Sequence, residues 1–360
     1  MTGDYDAVVV GAGPAGSTAA RELARRGLRA LLVDRAHFPR PKVCGCCLNP
    51  RALATLDRAG LGALPASLGA VPLAGLELAA GRRRATLHHP LGVALSRDAL
   101  DAALVDAAVA AGAEFLPRAS ATLAPGGIRL KVGDGSRDVR ARFVVSATGL
   151  GDGLFPADDR ATPSPRSKVG AGTILDAAPA GYAPGRIFMA CGAGGYVGLV
   201  VLEDGRLDVA AALDPAAVRA AGGPGALAAR ILAGTRLPDV PGLADARWRG
   251  TPALSRSPGR VAEGTVFRVG DSAGYVEPFT GEGMAWALAG GEALAAILAE
   301  DPDPAGRWAR EHRRIVRDRQ FACRAVARVL RSPAMTSVMA AALEIRPGLA
   351  RPLLSAMHRD

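Results

Sequence analysis

Lysine is nearly missing: Lys42, Lys131 and Lys168 are the only three in 360 residues, although the formal net charge is +10. Arginine therefore carries the positive charge. With so much alanine and glycine beside it, the excess looks like GC-rich coding bias, so it argues only weakly for a nucleic-acid partner, and none is expected. A basic surface still favours anionic ligands or an acidic membrane face. Long apolar runs are missing too. No uncharged stretch reaches the about eighteen residues of a membrane span; the longest candidate, Met284 to Ala299, carries Glu292 and reads as a core helix. No charged and then apolar leader precedes the first motif, so no signal peptide is expected. Cysteines are few and odd in number, at five, which argues against a disulfide framework. Cys44, Cys46 and Cys47 lack a matching second pair, and His88 and His89 do not complete a zinc spacing, so no metal is expected. The expected location is the cytoplasm.

What is present begins almost at once. Asp6 to Val10 ends in a β-branched run suited to a buried parallel strand. Gly11, Gly13 and Gly16 follow in G-x-G-x-x-G spacing, with Pro14 and Ala15 between them. Ser17 to Arg26 reads as a helix stopped by Gly27, and Leu28 to Val33 as a second strand ending on Asp34. Gly11 permits the strand-to-helix turn, Gly13 lets backbone approach a pyrophosphate, and Gly16 lets helix and strand pack closely. Asp34 lies eighteen residues after Gly16, where an acid accepts hydrogen bonds from ribose hydroxyls. Strand, loop, helix, strand and terminal acid in order make this a dinucleotide-binding unit. Arg35 follows directly.

Pro39 and Pro41 hold Arg40 and Lys42 in an extended loop, and Gly45 allows close backbone approach beside Cys44. The run F-P-R-x-K-x-C-G after a Rossmann start resembles the geranylgeranyl-reductase-like branch of the FAD-dependent oxidoreductases, within the p-hydroxybenzoate-hydroxylase-like superfamily. The resemblance implies that Gly11 to Gly16 and Asp34 hold the ADP half of FAD, that Arg40 or Lys42 faces the cofactor, and that Cys44 and Gly45 edge the flavin.

Ser96 is a plausible N-cap for a helix through Ala107. Arg97 at its start is awkward by dipole logic; S-R-x-x-L-D in similar proteins places this arginine over the pyrophosphate. Val71 to Leu95 alternates poorly but contains strand-like pieces, and Ala113 to Val145 reads as a strand and a small meander. Ala147 to Gly153 replaces the family's usual Asp-Gly turn, with Thr148-Gly149 in its place. Lys168 to Leu213 reads as β-rich, with a hairpin at Glu203-Asp204-Gly205. The family's aromatic Y-x-W-x-F-P pattern stands here as Tyr196-Val197-Gly198-Leu199-Val200.

Thr265 to Glu300 supplies a second cofactor motif, similar to G-D-A-A-G-x-x-x-P-x-x-G-E-G. By resemblance Gly270 and Asp271 meet the ribityl chain, and Pro278, Gly281, Gly283 and Met284 present backbone N–H groups to the pyrimidine end of the isoalloxazine. Negative charge on the reduced ring is stabilised there by about 0.3–2 kcal/mol. Asp303 to Leu330 reads as an arginine-rich helix: a solvated face in the plainer reading, a contact with acidic membrane in the sharper one.

The expectation is an α/β protein: a discontinuous Rossmann-like FAD-binding domain (1–70, 96–165, 255–331), an inserted β-rich substrate-binding domain (71–95, 166–254) and a C-terminal helical tail (332–360). No Ser/His/Asp set or paired carboxylates stand at telling spacings, so FAD carries the redox step, with NAD(P)H as transient donor. Cys44 and Tyr196 are the side chains expected beside the reacting substrate. The reaction implied is hydride transfer to or from a C=C bond of a hydrophobic molecule, polyprenyl or polyketide-like. The alternatives are monooxygenation through a flavin hydroperoxide and, furthest off, a non-catalytic binding protein like the dissociation inhibitors that share this fold.

Overall fold

A computed structural model describes residues 4–151, 154–155, 161–257, 260–276, 281–317, 323, 327–330 and 332–351. The opening unit is β1 (Tyr5–Val10), α1 (Pro14–Arg25) and β2 (Ala30–Val33), with β1 and β2 parallel. The chain then touches a second sheet at β3 (Cys47–Leu48) and passes through α2 (Pro50–Arg58) and the single turn α3 (Leu64–Ser67). A long hairpin follows, β4 (Val71–Ala80) and β5 (Arg83–Ala94), where the sequence suggested only strand-like pieces. Its poor alternation has a cause: residues on both faces of β4 are buried. Ser96 caps α4 (Arg97–Ala110) by accepting from the Ala99 N–H at 3.3 Å, a cap worth about 1 kcal/mol.

β6 (Glu114–Leu116) extends the first sheet, and β7 (Ala119–Ala124), β8 (Gly127–Val132) and β9 (Gly135–Ser146) form the meander. After the short β10 (Thr162–Pro163) come β11 (Val169–Leu175), β12 (Arg186–Gly192), β13 (Gly195–Val201) and β14 (Leu207–Leu213), then α5 (Pro215–Ala221) and α6 (Pro224–Ala233), split by the glycines at 222 and 223. β15 (Arg249–Ala253), β16 (Arg256–Ser257), β17 (Ala262–Glu263) and β18 (Val266–Arg268) lead to α7 (Glu282–Glu300), α8 (Pro304–His312) and α9 (Pro333–Ile345). The arginine-rich stretch differs from the single helix expected: α8 gives way to a π-helical turn at Arg313–Arg317.

Two sheets result. The first runs β17-β18-β9-β1-β2-β6, with β7 and β8 attached through β9; the second runs β15-β11-β14-β13-β12-β4-β5-β3. β1 needs its unbroken apolar run because both faces are covered. Ala7 and Val9 pack with Leu23 of α1 and Leu294 and Leu298 of α7, while Val8 and Val10 pack with Ile128, Leu130 and Val139 of the meander. The helices α1 and α7 cross closely: a Cβ on Gly291 would stand 2.5 Å from the Ala15 carbonyl oxygen, so a larger residue would push them apart.

The second sheet separates its faces by register. Phe188, Val197, Leu199, Val209 and Ala211 turn toward α6, with Leu227 and Ile231. The other face meets α9 and the cysteine loop through Leu78, Met189, Tyr196, Ala340 and Leu343 in one cluster and Cys46 and Val200 in another.

Candidate functional site

The dinucleotide loop holds itself together before any ligand arrives. Gly11 has φ +107°, and a Cβ there would collide with the Ala147 carbonyl oxygen; one on Gly16 would collide with the Gly11 carbonyl oxygen. Gly13 is different. Its Cβ position is open, and its nearest neighbours are the Arg40 and Arg97 guanidiniums, each 3.8 Å away. It is the N-cap of α1 without a side-chain cap, so the first-turn N–H groups beyond Pro14 remain available, and the Ser17 hydroxyl just inside is buried and unpartnered. Ala15 is buried under Gly270. Asp34 accepts from the Ala12 N–H and the Ala36 N–H, each at 2.8 Å. The acid thus buttresses the loop from behind, while each carboxylate oxygen keeps a further lone pair for a ribose hydroxyl.

Three cations converge on this loop. Arg97 is buried and bound bidentately by Asp101, through Nε at 2.9 Å and Nη2 at 2.8 Å; Arg40 lies 3.4 Å from the same carboxylate and 3.8 Å from Asp34. Lys42 is exposed, with Nζ 3.8 Å from the Cβ position of Gly149. The surrounding protein and the guanidiniums of Arg97 and Arg40 push its pKa down, against the pull of Asp271 and Asp101. Arg35 is exposed and reaches the same turn, 4.0 Å from the Cβ position of Gly151. Burial pushes Asp271 up to about 6, partly offset by Lys42 and Arg97.

Beyond the cations lies the cysteine loop. Gly45 is exposed with open space at its Cβ position, and Cys46 takes a left-handed φ of +51°. The Cys46 carbonyl accepts from the Leu95 N–H at 2.9 Å, and the Cys47 thiol donates to the Gly45 carbonyl at 2.9 Å. Val43 sits against Gly172 of β11, anchoring the loop on the second sheet. Cys44 is half-buried. The neighbouring Cys46 thiol, and after it the charge of the Arg97 guanidinium, bring its pKa down to about 5 against the cost of burial. Cys46 is held up by that same pairing and by burial. It also contacts Asp208, a buried acid of β14 held well above the carboxylate range by desolvation, with one oxygen unpartnered. A row of groups that feel one another's charge therefore runs Asp208, Cys46, Cys44, Arg97, from the second sheet to the Arg97–Asp101 pair, whose two hydrogen bonds close it.

The second motif closes the cleft. Gly270 has φ +65° and Gly281 φ +72°, and the Gly281 Cβ position lies 3.7 Å from the Cys47 carbonyl oxygen. Gly283 faces the Tyr275 ring at 3.5 Å. The Met284 side chain packs into the core with Leu48, Leu56 and Leu100, leaving only its backbone for the cleft. Pro278 lies outside the described residues. Glu282 accepts from Asn49 Nδ2 at 3.1 Å, and burial raises it to about 7. Tyr196 is on the inner face of the second sheet. It shares a cross-strand row with Cys191 and Ala212, next to a row of Met189, Gly198, Ala210 and Gly172; Asp208 is in the row beyond, beside Val200 and Ile174. Across β12, β13 and β14 that face is apolar apart from Asp208, the Cys191 thiol and the tyrosine hydroxyl, with Arg249 and Arg83 at its edges.

Sequence reasoning held Asp101 and Glu282 only as letters of the S-R-x-x-L-D and G-E-G motifs, with no role, and missed Asp208. Asp101 carries a readable signal, an aspartate four residues after Arg97 on one helix face. Asp208 carries none, because its strand alternates in the manner of a solvent-facing edge.

A dianionic pyrophosphate fits this donor set: open helix N–H groups, two guanidiniums over an unfilled glycine, and an ammonium without an ion pair among the described residues. Residues 4–152 match the family described as FAD binding domain. A menaquinone reductase of Mycobacterium tuberculosis is 60% identical over 57 residues, 16% of this chain and 14% of that protein. A digeranylgeranylglycerophospholipid reductase 1 of Methanopyrus kandleri is 36% identical over 155 residues, 41% of this chain and 40% of that protein. The chain thus matches only a minor part of the length of these curated relatives. Among solved structures, a geranylgeranyl bacteriochlorophyll reductase-like protein of Thermoplasma acidophilum superimposes with a TM-score of 0.75 at 20% identity, covering 94% of this chain and 91% of that one. That likeness establishes the shared fold. Among the described residues no helix is long and apolar enough to cross a membrane, and no three His, Cys, Asp or Glu side chains are grouped as metal ligands.

Proposed function

We propose, from the premise that this chain belongs to the p-hydroxybenzoate-hydroxylase-like flavoprotein superfamily, that it is an FAD-dependent reductase of a C=C bond in a hydrophobic, polyprenyl-like or polyketide-like molecule. The α1 N–H groups, Arg40, Lys42 and Arg97 would hold the pyrophosphate, Asp34 the adenosine ribose, and Asp271 the ribityl chain. The backbone from Gly281 to Met284 would face the ring. Held there, FAD would supply the hydride chemistry, with NAD(P)H as the proposed transient donor.

Saturating an alkene takes a hydride on one carbon and a proton on the other, so the chain must supply the proton. The Cys44–Cys46 pair carries this reading. Cys44 is the more acidic and the less buried of the two, while burial and the pairing hold the proton on Cys46. The proton moves from Cys46 to Cys44 and on to the substrate carbon, and the buried Asp208 carboxyl stands behind to refill it. The apolar inner sheet face, with Tyr196 on one side of the Gly198 row and Asp208 on the other, suits a lipophilic substrate better than a charged one. The reductase names of the matched relatives support the same direction.

The test is anaerobic. The reduced protein is mixed with polyprenyl acceptors in D2O, and products are read by mass spectrometry. Reoxidation giving a saturated product with solvent deuterium on the protonated carbon is expected, and Cys44→Ser should keep FAD while slowing this step by about 10²-fold. Turnover that requires oxygen and places an oxygen atom in the product would instead make the chain a monooxygenase. A purified protein that never takes up FAD would overturn the reading altogether.

A further inference from the structure

The described chain exposes six large apolar side chains, and four of them fall within fifteen residues: Met335 at 51%, Val338 at 70%, Ile345 at 77% and Leu349 at 58% exposure. Met335, Val338, Ala342 and Ile345 recur at intervals of three, four and three along α9, which places them on one face, and Leu349 continues the ridge on the turn Pro347–Ala350. The opposite face is already used: Thr336, Ala340 and Leu343 are buried, and Ala340 and Leu343 pack with Leu78, Ala80, Ala85 and Leu87 of the β4–β5 hairpin. The outward ridge is therefore not the helix's own core stripe.

The charges beside it have one sign. Arg328, Arg346 and Arg351 are exposed on this segment, and Arg82 and Arg83 lie on the hairpin turn beside it. The one acid of the segment, Glu344, is taken by Arg83 at 3.3 Å. The arginine-rich α8, where a membrane contact was expected, lacks such a ridge: its Trp308 is fully buried and Val316 just beyond is buried too.

We propose that the α9 ridge, Met335 to Leu349, docks this protein onto the surface of a bilayer rich in anionic phospholipid. Apolar side chains enter the headgroup–acyl boundary while flanking arginines meet lipid phosphates, a combination that single apolar or single basic patches do not achieve. A second copy of the chain fits less well. It would bring the same positive charges to the contact, and one helix of 13 residues, about 20 Å long, offers less than the about 1,200–2,000 Å² that a stable dimer buries. The inference stands on this surface alone and survives or fails independently of the redox reading.

The experiment is flotation of the full-length protein with vesicles of phosphatidylcholine alone or mixed with phosphatidylglycerol, at low and high salt. Wild type should partition onto the anionic vesicles at least about tenfold better than onto the neutral ones, and lose this with salt. The double variant Val338→Asp, Ile345→Asp should bind at least about tenfold more weakly while unfolding at the wild-type temperature. Val338→Trp gives a second readout, a blue shift of its added emission on anionic vesicles only. Equal binding to both vesicle types overturns the proposal. So does anionic binding that the double aspartate variant retains, and so does a concentration-dependent dimer that this variant dissociates without any vesicle binding.

Discussion

At the scale of single residues, the cysteine loop makes a sharp statement about acidity. A thiol ordinarily titrates near pH 8.5. The neighbouring Cys46 thiol and the Arg97 charge bring Cys44 down to about 5, whereas burial pushes Cys191 up to about 12 and Cys47 higher still. Alkylation by a neutral reagent should therefore single out Cys44 in the FAD-free protein, with a rate that reaches half its plateau near pH 5. Cys46→Ala removes the donated S–H, so the rate at pH 6 should fall by about tenfold and recover by about pH 8. Cys46→Ser returns an O–H donor and should restore most of the acidity. An unchanged pH profile in Cys46→Ala would show that the pairing does not set the thiolate. The three cysteines were visible in the sequence as a loop beside a cofactor. Their proton order was not, because it depends on Arg97 from α4 and Asp208 from β14, both far away in the chain.

Secondary-structure elements show which glycines serve the fold and which serve the ligand. The opening motif was legible because strand, turn, helix and acid are contiguous, and its spacing already assigns the three glycines separate duties. What the sequence does not give is the long-range partner: β9 lies beside β1 and delivers Ala147 against Gly11. Gly16→Ala would press a methyl group into the Gly11 carbonyl, so the FAD-free protein should lose about 1–3 kcal/mol in urea unfolding. Gly13 has φ −83° and open space. Gly13→Ala should stay within about 0.5 kcal/mol of wild type without cofactor, yet bind FAD at least about tenfold more weakly, because its methyl group occupies the space between helix N-terminus and guanidiniums. Equal loss of stability in both variants would refute this division. The same contrast explains why the β4–β5 hairpin was only partly legible. Alternation reports a strand when one face meets water, and β4 is buried on both.

For the whole molecule, the two sheets are joined by more than the connections between them. Arg97 and Asp101 belong to the helix that returns to the first sheet, Cys44 and Cys46 to the connecting loop, and Asp208 to the second sheet. The string they form makes the seam between sheets sensitive to protonation. Asp208 is the informative member: desolvation and the Cys44 thiolate hold it neutral, far above the usual 3.8. An acid whose pKa is higher folded than unfolded binds more protons in the native state, so its contribution is fully present at low pH and is lost as pH rises above the unfolded value. Keeping Asp208 protonated, or ionising it without a partner, therefore costs the native protein stability at pH 7 that it does not cost below pH 4. Asp208→Asn keeps the shape and a hydrogen-bonding amide for Cys46 while removing the titration. In urea unfolding across pH, the variant should be more stable than wild type at pH 7 and above, and the advantage should vanish on approach to pH 4. Should the difference between the two proteins be the same at both ends of that range, Asp208 would be an ordinary ionised carboxylate, and the seam would have to be drawn without its proton reservoir.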